Sequence, residues 1–169
     1  VSGRAEPLEP RAIARLGANT QVTTNSFLLR SVGLQKTDAS ADSYAFALGV
    51  GTGAGASNKN YSKANVEVGA NAVVTSQNIL ISAKNELTKD RYKNASNLRA
   101  GSASVAGLTV LTSDTEIGNS TRTFQANVNI ASGAKLTATG DNKNPGVFRV
   151  ETSTDVTAVD SVRIETVSG

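Results

Sequence analysis

Cysteine, histidine, tryptophan and methionine are all missing from this 169-residue chain. Without thiols there is no disulfide framework and no thiolate metal site. Without imidazole there is no His-based catalytic triad and no histidine-ligated zinc. Aromatics amount to 4% and prolines to three, so a core built on large rings is out of reach. Long apolar runs are missing too, and none approaches the length of a membrane span. No secretory leader is recognisable, so export would need a leader that has been removed or lies upstream. Charge of one sign is also scarce. Seventeen basic residues face fourteen acidic ones, for a net charge of +3. The densest basic patch, Lys84 to Arg99, also carries Glu86 and Asp90. It reads as a solvated turn and not as a nucleic-acid footprint.

What remains is Ala, Ser, Thr, Asn, Val and Gly, with β-branched residues recurring in alternation. Alternation and a low net charge separate the chain from a disordered tail. Its length is that of one domain, enough to bury a core. Small and β-branched side chains suit stacked strands with a narrow interior and many turns.

The chain states one motif three times. Ala14 to Thr23, Val66 to Thr75 and Val128 to Thr137 align without a gap. Apolar positions coincide at Leu16, Val68 and Ile130 and at Val22, Val74 and Leu136, and Thr23, Thr75 and Thr137 share a column. A second apolar pulse follows each copy, at Phe27 and Leu29, Ile79 and Ile81, Phe148 and Val150. Between its two members lies an outward position occupied by Leu28, Leu80 and Arg149. Self-similarity at a long period marks a repeat architecture. The copies begin at 14, 66 and 128, so they are 52 and 62 residues apart, which suggests two turns of a β-helix per copy.

Residues 1–13 form a junction or cap, with Pro7 and Pro10 marking a turn or edge crossing. The Ala/Arg run from Arg11 to Arg15 has the composition of a helical turn, but its alignment with the second copy argues for strand. Residues 14–169 carry the repeats. Polar turns are expected at Gln35–Ala41, Asn58–Lys63, Lys84–Asn97, Asn119–Thr121 and Gly140–Gly146, and a final strand at Asp160–Thr166. Two long small-residue stretches, Ser43–Ser57 and Leu98–Ile117, alternate so that one face differs from the other. No Asn-Gly or Asp-Gly pair separates two alternating runs, which favours parallel stacking over an antiparallel sandwich.

The ends share the tripeptide Val-Ser-Gly, at 1–3 and 167–169. Overlapping them gives a 166-residue unit whose next copy would start 52 residues after Val128. Shifted by 114 positions, Leu48 would then fall on Val162 and Val50 on Ile164. The expectation is one unit of a longer array, or a subunit that stacks head to tail.

Motifs that could carry chemistry are weak. The glycines at 49, 51, 53 and 55 match neither a dinucleotide fingerprint nor a P-loop, and strict alternation gives instead a strand with one bare face. Asp141, Asn142 and Asn144, with Asp155 and Asp160, lack the ordered oxygen set that calcium needs, and read as turn chemistry. Asp114 and Glu116 share one strand face and could be drawn as a glycosidase pair, but fit a solvated face better. Asn-x-Ser/Thr matches at Asn60, Asn94 and Asn119 carry no weight in so Ser/Asn-rich a chain. Asn19 and Asn71 are expected to stack as a ladder inside the turns. No catalytic residue, cofactor site or metal site is assigned.

The segment Asn65–Thr75 followed by Ile79-Leu80-Ile81-Ser82-Ala83 resembles the repeats of giant bacterial filamentous adhesins, the leukotoxin-like and filamentous-haemagglutinin-like surface proteins. Asn127–Ala138 is the closest single match, and Ala100–Leu111 resembles their small-residue segment. The resemblance implies a secreted, elongated β-solenoid at the bacterial cell surface, and brings over no catalytic or binding residue.

The expected fold is therefore all-β, a parallel β-solenoid of three imperfect repeats. Its interior is expected to hold Leu16, Val22, Phe27, Leu29, Leu48, Val50, Val66, Val68, Val74, Ile79, Ile81, Leu108, Val110, Val128, Ile130, Leu136, Phe148 and Val150. The expected role is structural or adhesive and not enzymatic. The partner is another copy of the chain, with a cell-surface glycan or matrix as a further one, and neither nucleic acid nor a membrane span. Rival readings are a ligand-binding module for glycan or ice, for which the Thr23, Thr75 and Thr137 column is thin support, and a polysaccharide-acting enzyme.

Overall fold

The structure is a computed structural model describing residues 9–37, 41–46, 51–89, 98–103, 108–141, 143–158 and 162–166. Every element in it is a strand: β1 Arg11–Leu16, β2 Gln21–Thr37, β3 Ala41–Phe46, β4 Gly51–Asn60, β5 Ser62–Val68, β6 Val73–Lys89, β7 Leu98–Ala103, β8 Leu108–Ile117, β9 Phe124–Ile130, β10 Lys135–Ala138, β11 Val147–Ala158 and β12 Val162–Thr166. They form four sheets: β1-β5-β9, then β6 with β2, β10 and β11, then β3-β7-β12, then β4-β8. The chain divides into two compact units.

In the first unit, strand pairing reproduces the sequence alignment position for position. Ala14 partners Val66, which partners Val128, and Leu16, Val68 and Ile130 form the next row. Val74 partners Leu136 and Thr75 partners Thr137. All of these pairings are parallel, as expected from copies that run in one direction. The core lies along the second copy: Val66, Val68, Ala72, Val74, Ile79, Ile81 and Ala83 are buried, with Leu16, Val22, Phe27, Leu29, Val128 and Leu136 packed against them.

The second unit holds the small-residue strands. β7 pairs with β3 on one side and β12 on the other, and β4 pairs with β8 from Gly51–Leu108 to Asn60–Ile117, all parallel. Lys89 is buried there, with its ammonium 2.5 Å from Thr115 Oγ1.

The expected parallel β-solenoid of three repeats is not the observed fold. The sheets are separate and parallel, and none closes or curls on itself. The reason lies in the long strands. β2 and β6 each run 17 residues without a break. Within each, the inward face switches once, between Val22 and Phe27 in β2 and between Val74 and Ile79 in β6, and no sheet closes as a result.

Several local expectations also change. Asn58–Lys63 is strand interrupted only at Tyr61, and Lys84–Lys89 continues β6 and is not a turn. Lys84 and Glu86 take the outward positions of an alternating strand there, whereas Lys89 falls on its buried face. Val110, Ile130, Phe148 and Val150, assigned to the interior, are 51%, 41%, 49% and 42% exposed. Val110 shares a row with Gly53, whose face is exposed, and alternation alone does not say which face of a strand turns inward. The other three belong to the third copy, whose strands β9 and β10 pair, among the described residues, with the second copy alone. Leu48 and Val50, and the side chain of Leu108, lie outside the described residues. Val162 is in register with Leu98, and Leu98 with Ala41; Leu48, to which the array phase refers Val162, is among the residues not described.

Candidate functional site

Along β5 the second copy of the motif is buried on alternate residues, in a strict buried–intermediate pattern. The same positions in β1 and β9 are intermediate or exposed. Sequence does not explain the difference, since the copies match. Position does: β5 is paired on both edges, whereas among the described residues β1 and β9 each pair with β5 alone. Among the described residues, the first unit therefore presents two open strand edges, each beside a half-covered apolar row. One row is Ala14, Leu16, Val22, Phe27 and Leu29, and the other is Val128, Ile130, Leu136, Phe148 and Val150.

The turns between strands are locked copy to copy by backbone bonds. Gly69 N–H donates to Leu16 C=O, Val73 N–H to Thr20 C=O, and Asn19 N–H to Ala70 C=O, at 2.8, 2.8 and 2.9 Å. The next step repeats them: Ala131 N–H to Val68 C=O, Lys135 N–H to Ala72 C=O, and Asn71 N–H to Ser132 C=O, at 2.9, 2.7 and 3.2 Å. Asn19 and Asn71 hold left-handed backbones, and Asn71 Nδ2 donates to Asn19 Oδ1 at 3.4 Å, so the expected ladder forms. At the equivalent third position stands Gly133, φ +75°, where a Cβ would lie 2.2 Å from Asn71 Oδ1.

Two polar devices tie the three copies together, and neither was expected from the sequence. Glu9 forms ion pairs with Arg11 on β1 and Lys63 on β5, at 3.3 and 3.2 Å, and accepts from Thr123 N–H, just before β9. Burial acts to raise the Glu9 pKa, but Lys63, Thr123 N–H and Arg11 together hold it below the ordinary carboxylate value. Asn85 on β6 is fully buried. It accepts from Ser62 Oγ at 2.8 Å and donates to Ser62 C=O at 2.9 Å and to Gln125 C=O at 3.2 Å. It was hidden inside the expected charged turn. The signal that could have found it is the alternation of Asn85 and Leu87 against Lys84 and Glu86.

On the outward face of β2, β6 and β11 a groove of about 780 Å³ runs past Leu28, Arg30, Leu80, Ser82, Lys84 and Thr152. A smaller one of about 320 Å³ brings Leu28, Leu80 and Arg149 together, the three residues aligned as an outward column. Lys84 bonds Glu86 and lies 3.4 Å from Asp155, and Arg149 pairs with Glu151.

The residues weighed for chemistry are engaged in structure. Asp141 Oδ1 accepts from Lys143 and Asn144 N–H at 2.8 and 2.6 Å, and those bonds lower its pKa, as turn chemistry requires. Glu116 pairs with Lys59 at 3.8 Å and accepts from Asn119 Nδ2 at 2.7 Å, while Asp114 is exposed. Gly53 and Gly55 sit on an exposed face, and a Cβ on Gly55 would lie 3.0 Å from Thr112 Oγ1 of the neighbouring strand. Thr23 and Thr137 are exposed and Thr75 is half-buried. Asn142 and Asp160 lie outside the described residues. No described group of three or more acidic residues is placed to hold a metal ion, and no described helix is long and apolar enough to cross a membrane.

Compared with protein-family models, curated proteins and solved structures, the chain matches none.

Proposed function

We propose that this protein is a structural or adhesive repeat element of the bacterial cell exterior, and that its working surfaces are the open strand edges of the first unit. The observation that carries the reading is the contrast within one motif. The second copy, flanked on both sides, buries Val66 and Val68 to 0% and 1% exposure, whereas Ile130, in the same row as Val68, is left 41% exposed. An unpaired edge beside a half-covered apolar row is a template for adding another strand. Burying such a row is worth on the order of 25 cal/mol per Å². The adhesin-like motif at Asn65–Ala83 supports placing that role outside the cell.

Electron microscopy over a concentration series tests the reading. Unbranched fibres with a regular axial period are expected to appear as concentration rises. Particles of one size at every concentration would contradict it.

A second reading, a glycan-binding module, draws support from the groove beside Leu28 and Leu80, where Arg30, Ser82, Thr152 and Ser153 offer hydrogen-bonding groups. A glycan array separates the two: retention of a defined sugar, lost in Arg30→Ala, would favour it.

A further inference from the structure

The open edges differ from each other, and their differences are complementary. Each internal step uses the same three backbone bonds. The C=O before the turn and the C=O at its end accept from the following copy, and the N–H inside the turn donates to it. In the third copy the corresponding groups are Ile130 C=O, Ala134 C=O and Gly133 N–H. In the first copy the groups that would meet them are Gly17 N–H, Gln21 N–H and Ala18 C=O. Two acceptors and a donor on one edge thus face two donors and an acceptor on the other.

We propose that the partner is a second copy of this chain, with its β1 edge adding in parallel to β9 in the register already used twice. The inference deepens the assembly reading above and depends on it. Ala14 of the added copy lies opposite Val128 and Leu16 opposite Ile130, and Val22 covers Leu136. The exposed Phe148 and Val150 receive Phe27 and Leu29, because the sequence sets those pairs in the same columns as Ile79 and Ile81.

Charge favours this arrangement over a symmetric one. The outward residues of β9 are Gln125, Asn127 and Asn129, all uncharged, and those of β1 are Arg11, Ile13 and Arg15. Joining them sets arginine against amide. Joining β1 to another β1 antiparallel would set Arg11, paired with Glu9, against Arg15, paired with Glu67, and crowd two ion pairs together.

The absence of cysteine makes the register directly measurable. Ile13→Cys and Asn127→Cys are made in separate copies of the full chain, at two exposed outward positions, mixed, and oxidised mildly. Strands about 4.8 Å apart bring direct partners within disulfide reach, whereas a two-residue offset takes the Cα atoms beyond about 7 Å. The mixed disulfide is expected in at least tenfold excess over that between Ile13→Cys and Asn129→Cys. Thermal unfolding of each variant confirms that it folds. Assembly with mainly Ile13→Cys or Asn127→Cys homodimers would overturn the register while leaving assembly intact. Monomers at all concentrations by sedimentation would overturn both.

Discussion

Asn71 donates from Nδ2 to Oδ1 of Asn19 across 3.4 Å, and both residues hold left-handed backbones, with φ of 56° and 57°. The bond joins equivalent places in consecutive copies, so one residue type serves the turn's conformation and the joint between turns. Asn71→Gly keeps the conformation and loses the bond, and is expected to cost about 1 kcal/mol or less. Asn71→Val loses both and is expected to cost about 2 kcal/mol. Chemical denaturation of the two variants checks the order.

The row Leu16–Val68–Ile130 supplies a test of position against sequence. Val68 has a neighbour on each side and is 1% exposed. Val68→Ala is expected to cost about 2 kcal/mol, and Val68→Asp about 4 kcal/mol or more, because it buries an unpaired charge. Ile130→Ala, although it removes more carbon, is expected to cost under about 1 kcal/mol in dilute protein, since its site is half open. Calorimetry at low concentration gives all three values.

Pairing was legible in the sequence and closure was not. An ungapped match of residues 14, 66 and 128 states which strands neighbour each other, and the register Ala14–Val66–Val128 follows from it. The same match says nothing about where a strand ends, so the charged residues from Lys84 onward suggest a turn where β6 continues to Lys89. Nor can it report burial at Ile130, Phe148 and Val150. Burial there depends on what lies beyond the third copy, and the motif is the same whether or not a neighbour covers it. The roles of Glu9 and Asn85 are not legible in the repeats because both residues lie outside the aligned motif and make contacts across copies.

Asn85 carries a further expectation. Its amide satisfies Ser62 Oγ and two backbone carbonyls in a buried site. Asn85→Ala leaves those groups unpaired and is expected to cost about 1–3 kcal/mol. Asn85→Asp is expected to be worse at neutral pH, because a carboxylate cannot donate to the carbonyls of Ser62 and Gln125. Its stability should partly recover in mild acid, where protonation restores one donor. Unfolding curves at two pH values distinguish the variants.

Glu9 contributes to the acid limb of stability, as does Asp141. The pKa of Glu9 in the folded protein lies below the ordinary value of 4.5. A carboxylate with a lowered folded pKa contributes stability that is fully present above the unfolded pKa and is lost as pH falls through the folded one. Melting temperature is therefore expected to fall as the pH drops below about 4.5. Glu9→Gln should start lower at neutral pH and show a shallower decline. Thermal melts between neutral pH and strong acid test the sign.

Hydrogen exchange at four backbone amides tests the central claim, that the open edges join copies of the chain. Gly69 and Val73 N–H are bonded to Leu16 and Thr20 C=O within one chain, and their equivalents Gly17 and Gln21 lie on the open edge. In dilute protein Gly69 and Val73 should be protected while Gly17 and Gln21 exchange freely. As concentration rises, protection should spread to Gly17 and Gln21, and Ile130→Lys should abolish that change alone. If Gly17 and Gln21 exchange equally fast at every concentration, the edges do not join and the account is wrong.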